Sequence, residues 1–345
     1  MTRISVIIPT YNRATDLPRV LEALASQTVT GFEVIVVDNG SNDNTAQVLE
    51  YWAKTAVFPV IHLRISPSGP AGARNAGMKI AKGEFLAFVD SDVALAPNWL
   101  ERTIDELERA PDVPAVGGIV IYENDRGFVN AYGGRISTIG LAWDACEGVP
   151  VSTIAEPEDR LWINCSALLV RADAARAVGG FGADFFYGFE DSDFGWRLSM
   201  VYGPQRVIPD ARCFHNVGDT IGRAAGPLVF HGCKNRLASL IANARLGHLL
   251  WALPVAVAYG VADAALRAPR GPKWRALGWN LMHLPATLAR RRSIAPLRGD
   301  DSALRPLFAE TWFPNVRLGG MRRRPNQRQQ VTRCANDDRV TEGAP

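Results

Sequence analysis

From the N-terminus to about residue 120, short runs of β-branched and aromatic residues alternate with segments whose apolar positions recur every three to four residues. That alternation predicts βαβ units and a mostly parallel sheet. Strands are expected at Ile4 to Ile8, Phe32 to Val37, Val60 to Leu63 and Phe85 to Val89. The first helix is the clearest: Asp16 stands where a cap belongs, Pro18 suits the first turn, and Leu17, Val20, Leu21 and Leu24 form one apolar stripe. Open α/β sheets bind ligands at the carboxyl ends of their strands, and those ends here read PTYNR, DNGS and DSD, all rich in donors and acceptors.

Between about 112 and 215 the pattern is mixed, with an apolar strand at Ala167 to Val170 and a helix from near Glu190 that carries Phe194, Leu198 and Val201 on one side. After about residue 222 the character changes. Residues 246–266, LGHLLWALPVAVAYGVADAAL, are almost continuously apolar, and the stretch to Arg292 mixes Trp274, Trp279, Leu281 and Leu284 with arginines. The mixture predicts an element lying at a membrane surface, with a helical subdomain packed on the core as the alternative. A true span is disfavoured because Asp263 is costly in lipid. The expected organisation is a domain over 1–221, with a donor half to about 120 and an acceptor half after it. A helical amphipathic extension over 222–314 and a disordered basic tail over 315–345 follow.

The chain of 345 residues, 47% hydrophobic and 21% charged, is long enough for a large buried core. A formal charge of +3 is too small to point to nucleic acid, and none is expected as a partner. The five cysteines lack C-x-x-C spacing and predict reduced, structural thiols. The start, MTRISVIIPTYNR, meets a proline and polar residues too soon for a secretory signal, so a cytoplasmic location is expected.

Asp90 and Asp92 follow the apolar run EFLAFV, so both carboxylates emerge at the end of a strand while Ser91 points elsewhere. Paired oxygen ligands suit Mg2+ or Mn2+, which commonly completes its shell with substrate phosphates. An isolated D-x-D is more often a turn whose Asp residues cap the next helix, here around Pro97 to Arg109. GPAGARNAG, spanning Gly69 to Gly77 and including Gly72, is expected to set Arg74 and Asn75 at a helix start, where N–H groups and a guanidinium meet anionic oxygens; alternatively its glycines permit close helix packing. It matches neither the dinucleotide fingerprint nor the P-loop. FYGFEDSDFGWRL opens a helix with Glu190, Asp191 and Asp193, ordinary partners for a helix N-terminus unless a reacting group lies beside them. Asp193 and Arg197 stand i, i+4 and predict a structural pair.

Taken in order, VIIPTYNR, VIVVDNGSNDNT, GPAGARNAG, FLAFVDSDV and FEDSDFGWRL resemble glycosyltransferase family 2, over about residues 3 to 216. The resemblance implies a GT-A fold, a Rossmann-like α/β sheet with flanking helices, and transfer of a sugar with inversion from a nucleoside diphosphate donor. It implies donor contacts from Pro9, Thr10, Tyr11, Arg13, Asp38, Asn39, Gly72, Arg74, Asn75, Asp90 and Ser91. Asp38 is expected on the pyrimidine base, Asp191 as the base that deprotonates the acceptor, and Glu190 as its helper. The metal is assigned to Asp92, Asp90 and His215. Asp92 is the firmer direct ligand, and Asp90 is the alternative holder of ribose or a metal-bound water. Trp162 and Asn164 are set in the acceptor pocket, with core packing as the other role of Trp162. His231 and Lys234 of VFHGCKNR are set on a phosphate or in solvent.

The E-D-x-D segment, the H-x-x-K-N-R helix and the basic stretch ending LARRRSI resemble the rhamnosyltransferase-like branch. That branch implies a dTDP- or UDP-linked donor, rhamnose among the sugars, and a glycan or polyprenyl-diphosphate-linked acceptor in cell-surface polysaccharide synthesis. The location implied is peripheral, at the inner face of the cell membrane. The rival readings are a sugar nucleotidyltransferase, whose glycine-rich signature with an activating lysine is missing from the first strand loop, and a noncatalytic nucleotide-sugar-binding subunit.

Overall fold

A computed structural model describes residues 3–217, 225–299 and 302–309, so the tail expected to be disordered lies outside the described residues. The strands are β1 (Ile4–Thr10), β2 (Phe32–Asp38), β3 (Val60–Arg64), β4 (Phe85–Val89), β5 (Val93–Leu95), β6 (Ala115–Tyr122), β7 (Val129–Ala131), β8 (Gly134–Ser137), β9 (Ala142–Asp144), β10 (Glu158–Arg160), β11 (Ala167–Arg171), β12 (Gln205–His215) and β13 (Phe308–Ala309). The helices are α1 (Leu17–Ala25), α2 (Thr45–Thr55), α3 (Gly69–Ile80), α4 (Trp99–Arg109), α5 (Ala172–Ala177), α6 (Glu190–Tyr202), α7 (Ala225–Asn243), α8 (Leu246–Leu266), α9 (Arg270–Met282) and α10 (Leu284–Ile294).

The main sheet runs β10-β12-β6-β11-β4-β1-β2-β3, with β5 on β12 and β7 on β6; β13-β8-β9 make a small second sheet. Its first-built part, β4-β1-β2-β3, is parallel throughout. Beyond it β11 runs antiparallel between β4 and β6. The central strands are nearly continuous apolar runs because helices cover both faces. On one face, the α1 stripe of Leu17, Val20, Leu21 and Leu24 packs with Trp99, Leu100, Ile104 and Leu107 of α4. On the other lie Ala71, Ala73 and Met78 of α3 with Phe194 and Leu198 of α6. A Cβ at Gly77 would sit 2.5 Å from Cγ2 of Ile7, so this glycine lets α3 lie directly on β1.

A third apolar cluster joins α7, α8 and α10 to the domain, through Leu237 and Leu240 against Trp162, Trp196 and Met200. Residues 225–294 therefore form a run of helices seated on α6. α8 is nevertheless largely uncovered: Leu250 is 70% and Leu266 is 76% exposed.

Two sequence expectations change, and one alternative falls away. Asp16 makes no capping bond to α1; its carboxylate instead accepts from Nη1 of Arg13 at 3.1 Å. Asp90 and Asp92 do not cap α4, which starts at Trp99 after Asn98 and is separated from them by β5. Cys165, Cys213 and Cys233 are free thiols, but Cys146 is disulfide-bonded.

Candidate active site

β1 and β2 end side by side, with Thr10 opposite Asp38, so the loops PTYNR and DNGS meet above the sheet. The Asn12 N–H donates to Oγ of Ser41 at 2.9 Å, and the Asn42 N–H donates to Oδ1 of Asn12 at 2.8 Å. Asn12 takes the left-handed conformation, φ 52°, which asparagine tolerates better than most residues. Tyr11 is 52% exposed at the mouth of this junction, Pro9 is half-buried, and Thr10 is buried. Asp38 is fully buried, accepting from the Ser41 N–H at 2.7 Å and from Nη1 of Arg64 at 2.9 Å. Burial pushes its carboxyl up, yet the Ser41 hydrogen bonds and the nearby Arg64 charge prevail and hold it below the usual carboxylate range. The Ser68 N–H donates to Oδ1 of Asn39 at 2.8 Å, tying the DNGS loop to the start of α3.

Arg74 joins the two acidic constellations. It is 4% exposed; Nη2 donates to Oδ1 of Asp90 at 2.7 Å and Nη1 donates to Oε1 of Glu190 at 3.0 Å. Burial opposes its charge, but Asp90 and Glu190 outweigh burial and hold it protonated. The residue projects from the middle of α3, whose first residue is Gly69, so the expectation that Arg74 and Asn75 begin the helix is corrected. With its backbone inside the helix, Arg74 acts through its guanidinium rather than through a free N–H. Asn75, about 100° further round the helix, points away from the strand ends. It donates to the Phe181 carbonyl at 2.8 Å and accepts from the Phe181 N–H at 2.9 Å. Gly72 lies against Ser68, where a Cβ would overlap the Ser68 side chain.

Asp92 and His215 form the second focus. Nε2 of His215 lies 3.5 Å from Oδ1 of Asp92, and Nη2 of Arg13 lies 3.3 Å from Oδ2. Nδ1 of His215 lies 2.8 Å from Oδ1 of Asn130, and the tautomer with its proton on Nδ1 turns an unprotonated Nε2 toward Asp92. Burial works against the His215 charge, but the Asp92 carboxylate raises its pKa; burial likewise opposes the Asp92 charge, and His215 and Arg13 lower that carboxyl. One imidazole nitrogen and one carboxylate converge here, a donor set that suits Mn2+ or Mg2+ completed by phosphate oxygens. Arg74 holds Oδ1 of Asp90, and no three His, Cys, Asp or Glu side chains gather around one metal position among the described residues. Ser91, between them, is buried.

Asp191 follows Glu190 in the first turn of α6. Burial pushes its carboxyl up to about 8, reinforced by the Glu190 charge and eased by Arg74. Glu190 is 7% exposed, and its Oε2 has no hydrogen-bond partner among the described residues. Asp144, which sequence reasoning missed, belongs to the same field: burial pushes it up to about 6, and it accepts from Nδ2 of Asn164 at 3.2 Å. The strand that delivers it, β9, is three residues long and carries no motif, so only the fold reveals it. Asn130, the partner of His215, was missed for the same reason.

On the acceptor side, Trp162 takes the core-packing role and the reading of Lys234 is corrected. Trp162 is packed in the third core cluster, its indole filling the space a Cβ on Gly134 would need. Lys234 is 3% exposed, donates to the Asp184 carbonyl at 2.6 Å and lies 4.5 Å over the Trp279 ring, so it is neither solvated nor set on a phosphate. His231 stacks on Phe186 with ring centroids 5.4 Å apart. Asp193 and Arg197 form the expected i, i+4 pair at 3.0 Å, extended by Arg290 and by Asn243. A cavity of about 330 Å3 opens beside Phe189, lined also by Leu141, Leu237, Tyr259 and Leu277.

Comparison with known proteins agrees with this architecture. Residues 5–140 match the model of glycosyl transferase family 2 and make up a domain of that type. The chain is 30% identical over 322 residues to the pre-mycofactocin glycosyltransferase of Mycobacterium tuberculosis, covering 91% of this chain and 60% of that protein. It is 29% identical over 208 residues to the glycosyltransferase AglE of Haloferax volcanii, covering 58% of this chain and 64% of the relative. The chain thus spans roughly three-fifths of the length of these curated relatives. Among solved structures, Staphylococcus aureus TarS 1-349 in complex with UDP-GlcNAc superposes with a TM-score of 0.54 at 21% identity, over 86% of this chain and 87% of that one. The mannosyltransferase PcManGT of Pyrobaculum calidifontis, in complex with GDP-Man and Mn2+, gives 0.54 at 22% identity over 86% and 84%. The chain has the GT-A-like α/β fold.

Proposed function

We propose that this chain, built around its glycosyl transferase family 2 domain, is an inverting glycosyltransferase that moves one sugar from a nucleoside diphosphate donor to an acceptor hydroxyl. The observation that carries the reading is the position of Arg74 between Asp90 and Glu190, which sets a donor-side carboxylate and the acceptor-side pair on one guanidinium. The strand-end loops with Tyr11 and Arg13 receive the nucleotide, and Asp38 stiffens the DNGS loop beneath it. Asp92 and His215 are the residues suited to hold Mg2+ or Mn2+. When bound, that ion offsets charge on the departing diphosphate. Arg74 keeps Asp90 in place at the same edge.

Asp191 removes the acceptor proton. A carboxyl whose pKa stands near 8 is a stronger base than an ordinary aspartate and still ionises near neutral pH. Glu190, with Oε1 held by Arg74, helps to set the acceptor side of the site. Asp191 attacks only the proton, and the acceptor oxygen displaces the diphosphate in one step without a covalent enzyme intermediate.

The finer reading is a dTDP- or UDP-linked donor, with rhamnose among the candidate sugars, and a glycan or polyprenyl-diphosphate acceptor used in surface polysaccharide synthesis. Support comes from the cavity beside Phe189, of a size to take an apolar portion of such an acceptor, and from the uncovered apolar side of α8. α8 is long and apolar enough to cross a membrane, with 22% of its most apolar window buried. We read it as resting on the inner face of the cell membrane, with 1–221 as the transfer domain and 222–314 as the surface-seeking extension. A panel of UDP-, dTDP- and GDP-sugars with Mn2+ and candidate acceptors tests the activity. Release of nucleoside diphosphate with formation of a glycoside is expected. Release of pyrophosphate would identify a nucleotidyltransferase instead, and nucleotide-sugar binding without turnover would favour a noncatalytic subunit.

A further inference from the structure

The segment 185–189 reaches α6 by an unfavourable backbone path. Phe186 (φ 49°), Gly188 (φ 73°) and Phe189 (φ 69°) all take positive φ, and two of the three are bulky aromatic residues. Such conformations persist only where surroundings over-determine them. On one side the Phe186 carbonyl occupies the space that a Cβ on Gly69 would need, so this part of the segment rests on the first residue of α3. On the other side stands Asn235 of α7, fully buried. Its Nδ2 donates to the carbonyls of Phe185 at 2.8 Å, Tyr187 at 3.1 Å and Gly188 at 2.6 Å. Lys234 adds a bond to the Asp184 carbonyl.

We infer that Asn235 is a positioning residue for Glu190 and Asp191: its amide gathers three carbonyls of the preceding segment and thereby fixes the left-handed turn at Phe189 from which both carboxylates project. Carbonyls turned inward in this way lose water and require a donor, and the two N–H bonds of one carboxamide reach all three, one of them shared between two carbonyls. Any relaxation of Phe189 toward ordinary φ rotates the start of α6 relative to Arg74. The motif H-x-x-K-N-R therefore serves the acceptor side through the backbone rather than by touching a phosphate. The inference rests on the proposed transfer activity and adds to it a residue that touches neither donor nor acceptor.

Asn235→Ala tests it in the full chain. The nucleoside diphosphate among UDP, dTDP and GDP that most raises the melting temperature with Mn2+ serves as the binding probe, and release of that nucleoside diphosphate from its sugar donor serves as the rate. Binding of the probe within about threefold of the parent is expected, with kcat at least about tenfold lower and donor KM little changed, as for displaced catalytic groups. Asn235→Asp, which sets a carboxylate against three carbonyls, is expected to be worse than Asn235→Ala. Lys234→Met keeps the stem over Trp279 but loses the Asp184 bond, and gives the same split in milder form if the Asn235 variants do not fold. Unchanged kcat, or kcat and probe affinity falling together, would overturn the inference. Asp191→Asn measured in parallel separates the two claims: normal turnover there removes the base assignment while leaving the Asn235 result to be read on Glu190.

Discussion

The guanidinium of Arg74 donates to Glu190 across 3.0 Å, joining side chains 116 residues apart in sequence. The same group holds Asp90 at 2.7 Å, so a single buried cation sets the distance between donor and acceptor machinery. Lysine cannot repeat this. Its ammonium is a point donor, whereas two separate carboxylates are met here by two arms of a planar fork. Arg74→Lys is therefore expected to lower turnover by about 100-fold, the cost of misplacing reacting groups by about 1 Å. Arg74→Ala adds a stability loss of about 3–5 kcal/mol from leaving the buried Glu190 carboxylate uncompensated. Steady-state kinetics together with thermal unfolding distinguish the two effects, and near-normal turnover in Arg74→Lys would contradict the bridging role.

The raised carboxyl of Asp191 gives two pH signatures. Only the ionised form accepts a proton, so turnover is expected to fall with unit slope as pH drops below about 8. For stability the sign is opposite. A carboxyl whose pKa is higher folded than unfolded is fully compatible with folding below its unfolded pKa, and its ionisation destabilises the fold progressively as pH rises toward about 8. Asp191→Asn removes that cost. The variant is expected to be inactive, by about 100- to 10,000-fold, yet more thermostable than the parent at pH 8 to 9, with the gap closing near pH 4. Melting curves across that range decide it, and a pH-independent gap would show that Asp191 is not held at a raised pKa.

His215 meets Asp92 with a ring whose other nitrogen is committed to Asn130. Outer partners of this kind fix the tautomer and orientation of a metal-binding histidine. Asn130→Ala is expected to weaken Mn2+ binding about 10- to 100-fold, read as a higher Mn2+ concentration for half-maximal turnover and by calorimetry with Mn2+ and UDP. His215→Ala should do at least as much. Equal Mn2+ dependence in all three proteins would remove His215 from the site, and full turnover after rigorous chelation would remove the metal requirement.

The donor half was legible because burial on both faces writes strands as continuous apolar runs: Phe85–Val89 falls where the run FLAFV stands, and β1, β2 and β3 each extend only one or two residues beyond their apolar runs. Polar residues just past such runs, Asp38 and Asp90 among them, were visible for the same reason. Asp144 and Asn130 were not, since they sit on three-residue strands whose position depends on pairings made elsewhere in the sheet. Asn75 misled through its neighbour, because adjacency in sequence is a rotation of about 100° on a helix. Lys234 misled through its chemistry. A basic, amide-bearing motif suggests an anion, while the acceptors it actually meets are backbone carbonyls that no side-chain pattern announces.

α8 offers the last test. Leu246, Leu250, Val257 and Val261 are exposed along one helix, with Trp251 half-exposed beside them, an arrangement that costs free energy in water unless an apolar phase covers it. Arg267 and Arg270 follow at its end, where anionic headgroups favour positive charge. Burying one leucine is worth about 1.5–3 kcal/mol, so Leu250→Glu is expected to weaken binding to anionic vesicles by at least about tenfold. Because Leu250 is 70% exposed, the substitution should leave the melting temperature nearly unchanged. Cosedimentation with vesicles at low and high salt measures the effect. If Leu250→Glu and the parent sediment alike, or neither binds, the exposed face of α8 does not serve a lipid surface, and a protein partner or a second copy of the chain becomes the better account of it.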